Sequence, residues 1–218
     1  MKSVYFLSGL GADERIFSKL QIPDTHFQFV KWVPPIINET IADYANRLKE
    51  QIKDENPVLV GLSFGGIMAI EISKIIRVEK TILIASVKSH KEVPRWMKIC
   101  GEWKLDRMLP SSPLKSIKSL KAIRPIQNYF LGAHSTEEKM IANEFRDNID
   151  PFYLRWSVHQ VLNWKNDWQP ETLFHIHGDN DHIFPIKKVN PTHIIPKAGH
   201  FMVMNRFKEI NNILAEII

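Results

Sequence analysis

One nine-residue stretch limits the fold more than any other part of the chain: Val58-Leu59-Val60-Gly61-Leu62-Ser63-Phe64-Gly65-Gly66. Residues 57–62 form a continuous apolar run, the pattern of a strand buried on both faces of a parallel sheet. Residues 65–76 read as a helix. Between the two, Ser63 has a glycine two positions away on either side, a G-x-S-x-G arrangement. A serine that stands proud of a sheet edge needs a very sharp strand-to-helix turn. Side chains at 61 and 65 would collide in such a turn, and glycine removes them. The turn also brings the positive end of the helix near the serine oxygen. It aims the N–H of Phe64 at the place where an oxyanion would form.

A serine hydroxyl is a weak nucleophile at neutral pH. It needs a base, and the base needs a group to orient it. A histidine and an acid are therefore expected further on, each on a loop after a later strand. Both are there. The run at 172–177 is followed by His177-Gly178-Asp179-Asn180-Asp181-His182-Ile183-Phe184-Pro185, and the run at 192–195 by Pro196-Lys197-Ala198-Gly199-His200-Phe201. On the residues alone the acid is Asp181 or Asp179.

The rest of the first half has the same rhythm. Residues 3–8 and 27–33 are short β-prone runs, and 81–85 is another buried strand. Thr40 caps a helix that reaches Ile52, with Ile41, Ala45, Leu48 and Ile52 on one face. Strands alternating with helices argue for βαβ units, hence an α/β fold whose mostly parallel sheet carries helices on both faces. From 87 to about 168 the rhythm stops. Prolines at 94, 110, 113, 125 and 151 break helical stretches, and Trp96, Trp103, Trp156, Trp164 and Trp168 cluster here. At 218 residues the chain fits one domain with an insertion. The expected organisation is a core of 1–86 and 171–218, with a helical cap of 87–170 inserted after the strand at 81–85. A final helix runs from about Met202, with Phe207, Ile210, Leu214 and Ile217 as its buried stripe.

Composition narrows the function. With one cysteine, Cys100, no intramolecular disulfide forms, and a cysteine-rich zinc site is excluded. Cys100 has no base at motif spacing and reads as inert. No run reaches the roughly 18 apolar residues of a membrane span. The turn at 8–11 interrupts the apolar N-terminus too soon for a signal peptide. A cytoplasmic protein with no stable membrane insertion is expected. The net charge of +5 is concentrated: residues 87–128 hold ten Lys/Arg against three acids, +7, which leaves −2 for the rest. A solvated helical face accounts for such a run. The sharper alternative is attraction of an anionic substrate, such as a CoA ester, or of a membrane surface. The basic residues match no nucleic-acid-reading motif, so no nucleic-acid partner is expected.

The chain resembles the α/β-hydrolase superfamily. Its small serine-hydrolase members carry an HG loop after an early strand, then G-x-S-x-G-G, HGxxDxxxP and a late GH. Here Ser8-Gly9-Leu10, Gly61 to Gly66, His177 to Pro185 and Gly199-His200 stand at those places. The likeness covers roughly residues 2–86 and 171–218. It implies Ser63 as nucleophile, His200 as base and Asp181, rather than Asp179, as acid. It also implies the backbone N–H of Leu10 as a second oxyanion donor beside Phe64. Ser8 stands where the family has histidine, which removes a side chain that often braces the loop.

The function expected is cleavage of an ester, thioester or similar acyl bond of a small molecule through an acyl-enzyme. No cofactor and no metal are expected. A His/Asp cluster at 175–182 is conceivable, since alternation aims His175 and His177 to one face, but convergent further ligands are not evident. His175 reads as a packed residue, and His177 and His182 as braces for the acid loop. Trp96, Trp156 and Phe201 are the candidate substrate contacts, although the tryptophans equally suit the core of a small helical lid. Two alternatives stay open, because fold does not fix chemistry. One is a C–C bond or hydroxynitrile lyase on the same three residues. The other is a ligand-binding protein with an unreactive site. A homodimer is compatible with the sequence.

Overall fold

The structure is a computed structural model that describes residues 2–109 and 121–218. Pro110, Pro113, Lys115 and Lys118 of the basic, proline-broken stretch lie outside the described residues. Six strands form one sheet: β1 Lys2–Leu7, β2 Thr25–Val30, β3 Val58–Leu62, β4 Lys80–Ile84, β5 Leu173–Gly178 and β6 His193–Ile195. Their order is β2-β1-β3-β4-β5-β6, and every neighbouring pair is parallel. This is the expected α/β class.

Alternation along the central strands explains why both faces are covered. Val4, Phe6, Val58, Val60, Ile82 and Ile84 point to one side. There they meet Phe17 and the C-terminal helices α7 (Met202–Asn205) and α8 (Phe207–Ile217). Tyr5, Leu7 and Leu59 point to the other side, against Tyr44 and Leu48 of α1 (Ile41–Leu48) and Met68 and Ile72 of α2 (Phe64–Ser73). All ten residues of α2 are buried, which fits a helix apolar on every side. Thr40 caps α1 as expected, its side chain accepting from the Asp43 N–H at 3.1 Å. The helix is shorter than its apolar spacing suggests, because a tighter 3-10 turn, Lys49–Gln51, takes over its end.

The expected single last helix is broken at Arg206. Asn205 Nδ2 turns to donate to Gly132 O at 3.1 Å, and the chain bends where that contact is made. Between β4 and β5 the described residues contain helices and no strand: α3 Arg95–Glu102, α4 Arg124–Leu131, α5 Thr136–Asn148 and α6 Pro151–Asn163. Among the described residues no helix is long and apolar enough to cross a membrane.

The sheet order reverses between β1 and β3, the neighbours from which the chain winds outward in opposite directions. In parallel sheets, a crevice opens beyond the carboxyl ends of the strands at such a point. The loops after β1, β3, β5 and β6 all emerge at that edge, and they carry Leu10, Ser63, Asp181 and His200.

Candidate active site

Ser63 has φ 53° and ψ −116°, a conformation that costs a non-glycine residue free energy. Its surroundings hold it there. The Ser63 N–H donates to Ile84 O at 2.9 Å, extending the β3–β4 ladder. The Ser63 carbonyl accepts from Ser86 Oγ at 2.7 Å and from the Gly66 N–H at 2.9 Å. The flanking glycines are steric necessities. A Cβ on Gly61 would sit 2.4 Å from Gly65 O, and one on Gly65 would sit 2.1 Å from Leu7 O.

The three side chains expected to act together meet. His200 Nε2 lies 2.8 Å from Ser63 Oγ, and His200 Nδ1 lies 2.8 Å from Asp181 Oδ2. Asp181 Oδ1 accepts from the N–H groups of Ile183 and Phe184 at 2.8 and 2.9 Å. Asp181 is buried, and burial by itself would raise its pKa. Electrostatic attraction to His200 and the hydrogen bond with it outweigh that, helped by His177 and the Phe184 N–H, and the carboxyl falls below its usual range. Asp179 does something else: its Oδ1 accepts from the Lys197 N–H at 2.6 Å, tying the β5 loop to the β6 loop.

His177 does brace the acid loop. Its Nε2 faces Phe184 O at 2.7 Å and lies 3.6 Å from Asp181 Oδ2. Both neighbours are acceptors, so Nε2 carries the hydrogen and Nδ1 accepts from His175 Nε2 at 3.2 Å. Both rings are buried and held neutral: burial pushes His177 below its usual pKa, and burial, the His177 ring and Lys88 take His175 down to about 3. His182 does not join them. Its ring lies 4.7 Å from Tyr129, against α4. No group of three or more His, Cys, Asp or Glu among the described residues is arranged to hold a metal ion.

Ser8 makes two side-chain hydrogen bonds. Its Oγ donates to Ala12 O at 2.6 Å and accepts from Trp32 Nε1 at 2.8 Å, which fastens the loop after β1. The N–H groups of Leu10 and Phe64 have no acceptor among the described residues, and both residues line the same cavity as Ser63 and His200.

That cavity has a volume of about 620 Å³ and lies between the strand-end loops and the helical segment. Its lining is mostly apolar: Met97, Phe145, Leu154, Val158 and Phe184 among others. Trp96 and Phe201 belong to it, and Cys100 does too. Trp156 does not. Its ring packs 4.4 Å from that of Tyr44, its Nε1 donates to Glu39 O at 2.9 Å, and it is 7% exposed. Trp164 is likewise an anchor, donating to Glu71 Oε1 of α2 at 2.8 Å. The tryptophans therefore do not make a common lid core: Trp156 and Trp164 fasten the segment to the sheet region, while Trp96, Trp103 and Trp168 are exposed.

Sequence reasoning did not single out Ser86, Trp32 or Arg146. None sits in a motif, and each acts through a partner distant in the chain. The only local hint was that Ser86 directly follows a buried strand.

A family model described as the alpha/beta hydrolase family matches residues 7–213. No curated protein matches the chain in sequence. Solved structures of similar fold include a bromoperoxidase from Bacillus anthracis, 18% identical, with a TM-score of 0.71 over 98% of this chain and 90% of that one. A Bacillus megaterium epoxide hydrolase in complex with an inhibitor is 14% identical, with a TM-score of 0.65 over 99% and 93%. A thermophilic esterase from Thermogutta terrifontis is 14% identical, with a TM-score of 0.62 over 99% and 89%. At such identities the likeness is one of fold. The names span more than one chemistry, so the site itself has to carry any statement about the reaction.

Proposed function

The chain belongs to the α/β-hydrolase family, and from that premise we propose that it is a serine hydrolase cleaving an ester, thioester or similar acyl bond of a small molecule. One observation carries the proposal: Ser63 Oγ, His200 and Asp181 are joined by two hydrogen bonds of 2.8 Å each, at the wall of an apolar cavity that also holds two unused backbone donors.

The chemistry follows from those contacts. Asp181, kept charged, accepts from His200 Nδ1–H and so leaves Nε2 free to take a proton. Ser63 Oγ attacks the acyl carbon as its proton passes to His200 Nε2. Negative charge then develops on the carbonyl oxygen, between the N–H groups of Leu10 and Phe64 and close to the start of α2. Each such donor contributes on the order of 3 kcal/mol to the transition state. The tetrahedral intermediate collapses, and His200 returns the proton to the leaving alcohol or thiol. The same base then activates water, which releases the acid and restores Ser63. The helical segment acts in this scheme as a cap that selects the acyl group, with Trp96 and Phe201 among its contacts.

The test is labelling with a fluorophosphonate, followed by a panel of p-nitrophenyl esters of increasing chain length. Label is expected on Ser63, and Ser63→Ala is expected to lose turnover by about 10⁴-fold or more while keeping its circular dichroism spectrum. Ester turnover retained in Ser63→Ala refutes the nucleophile. Proton exchange at a substrate carbon, with no acyl release, moves the function to a lyase.

A further inference from the structure

One wall of the cavity carries charge. Lys121, Arg124, Arg146, Asp106 and Asp147 all line it. Three of these are matched locally: Arg124 pairs with Asp147, and Asp106 Oδ2 lies 3.1 Å from His159 Nδ1. Arg146, on α5, is different. It is partly buried, and among the described residues it forms no ion pair. Residues 110–120 contain no Asp or Glu that would supply one.

Neutral amides hold it in place instead. Arg146 Nη1 donates to Asn128 Oδ1 at 2.6 Å and to Asn143 Oδ1 at 3.0 Å. Asn128 is 6% exposed, so this is a built contact and not a surface encounter. Both bonds use one nitrogen. The edge made by Nε and Nη2 has no partner among the described residues. That edge presents two parallel N–H groups, the geometry that matches a planar carboxylate. Burial, with the nearby charge of Arg124, pulls the Arg146 pKa below its usual value, partly offset by Asp147. Among the described residues neutral oxygens, and no carboxylate, hold this cation, and its Nε–Nη2 edge stays available to an anion.

The position also fits. Ile149, three residues beyond Arg146, packs on the loop after β1: a Cβ on Gly11 would lie 2.6 Å from Ile149 Cδ1. At the end of α4, Leu131 O accepts from the Phe201 N–H at 2.8 Å, beside His200. The two helices that hold Arg146 thus border the loops that carry Leu10 and His200.

We infer that the Nε–Nη2 edge of Arg146 binds a carboxylate carried by the substrate at a distance from its scissile bond, so that the preferred substrates are acyl compounds with a free acid group, such as half-esters of dicarboxylic acids. The inference rests on the serine-hydrolase function proposed above and names the substrate class of that site. It gives the basic character of the cavity wall a specific role, through a residue that lies outside the basic stretch at 87–128.

The test uses matched pairs of fluorophosphonates whose alkyl chains end in a carboxylate or in its methyl ester, over a range of lengths. Each probe bonds through phosphorus to Ser63 Oγ with loss of fluoride, so the rate of Ser63 labelling reads access to the same cavity. The mostly apolar lining by itself favours the methyl ester. The expected result for the native protein is the opposite: at the length that reaches Arg146, the carboxylate probe labels about ten- to a hundred-fold faster, the range for a charge-assisted hydrogen bond. Arg146→Met removes the charge at similar volume, and the preference is expected to revert to the ester. The readout is a ratio within one protein, so a variant that is partly unfolded still reports it. Native labelling that favours the ester at every length overturns the inference and leaves the hydrolase intact. A carboxylate preference that survives Arg146→Met also overturns it. If Ser63 takes label from neither probe series nor from a simple fluorophosphonate, the hydrolase proposal fails, and the inference with it.

Discussion

Around Ser63 the side chains that meet at the site are tied to partners, and only the N–H groups of Leu10 and Phe64 lack an acceptor among the described residues. The serine carbonyl is held by Ser86, the imidazole by Asp181, and the carboxylate by two backbone N–H groups. In the segment between β4 and β5, Asp106 Oδ1, Gln127 Oε1 and the Tyr153 hydroxyl are buried with no partner, whereas His175 Nδ1 is the one such atom of the sheet region among the described residues. Apolar surface is divided in the same way. Among the described residues Ile36, Ile37, Ile75 and Ile194 are the exposed large hydrophobics of the sheet region, while the segment exposes Trp96, Trp103, Met108, Tyr129, Met140 and others. Unsatisfied polar atoms and bare apolar area each cost stability. The comparison teaches that the two regions answer to different demands. Reacting groups must be held rigidly before substrate arrives. A surface that selects substrates keeps unpaired groups and apolar area for the ligand to cover.

If the sheet region holds the chemistry, single atoms there should matter enormously. Asp181→Asn is expected to lower kcat for a p-nitrophenyl ester by about 10⁴-fold, because the imidazole then adopts the wrong tautomer. Asp179→Asn, whose carboxylate only fastens two loops, should stay within about ten-fold, since a surface turn contact contributes about 1 kcal/mol. The reverse ranking in steady-state kinetics would move the acid to Asp179.

Backbone packing in the same region should be nearly as unforgiving. Gly65→Ala forces a Cβ against the carbonyls of Leu7 and Ser8. Urea denaturation is expected to show a loss of about 3 kcal/mol. A variant with native stability would mean that the elbow is looser than described.

The buried histidines provide a pH test. His175 and His177 have folded pKa values below the usual 6.5, His175 at about 3. The unfolded chain therefore binds their protons first as pH falls. Their contribution to stability is complete above about pH 6.5 and is lost as pH falls through each folded pKa, toward pH 3 for His175, with a slope of up to about 1.4 kcal/mol per pH unit for each proton. Asp181, also depressed, adds loss of the same sign below its unfolded pKa of about 3.9. His175→Phe should flatten the upper part of this slope in denaturation curves taken between pH 7 and pH 4. An unchanged slope would remove His175 from the account.

The smallest effect is expected in the helical segment. Trp96 is 52% exposed and lines the cavity. Trp96→Ala should shift stability by less than about 0.5 kcal/mol. It should lower kcat/KM for long-chain esters about five-fold, roughly 1 kcal/mol of lost apolar contact. A loss in kcat as large as that of Asp181→Asn would erase the division between the two regions.

Much of this protein was legible along the chain. Apolar runs of strand length alternating with helical spacing are local patterns, and they were enough for a parallel sheet with helices on both faces. Gly61 and Gly65 around Ser63 were legible because a sharp strand-to-helix turn permits few residue types. Asp181 could be separated from Asp179 only by resemblance to a family. In space the choice is plain, since one carboxylate reaches His200 and the other reaches the Lys197 N–H. The last helix looked continuous because periodicity does not register a side chain such as Asn205 turning to a distant carbonyl.

The helical segment was the least legible region, and for a physical reason. A tryptophan has the same spacing whether it anchors to α2, as Trp164 does, or faces the cavity, as Trp96 does; only packing against residues far away in the chain separates the two. Nothing in the sequence marked Arg146; only the fold shows that Asn128, rather than a carboxylate, holds it. Local sequence thus determined the architecture and the sharp turn that presents Ser63, because both depend on backbone sterics and period. The tertiary structure alone decided which groups are partnered and which are not, because pairing is a property of distance in space.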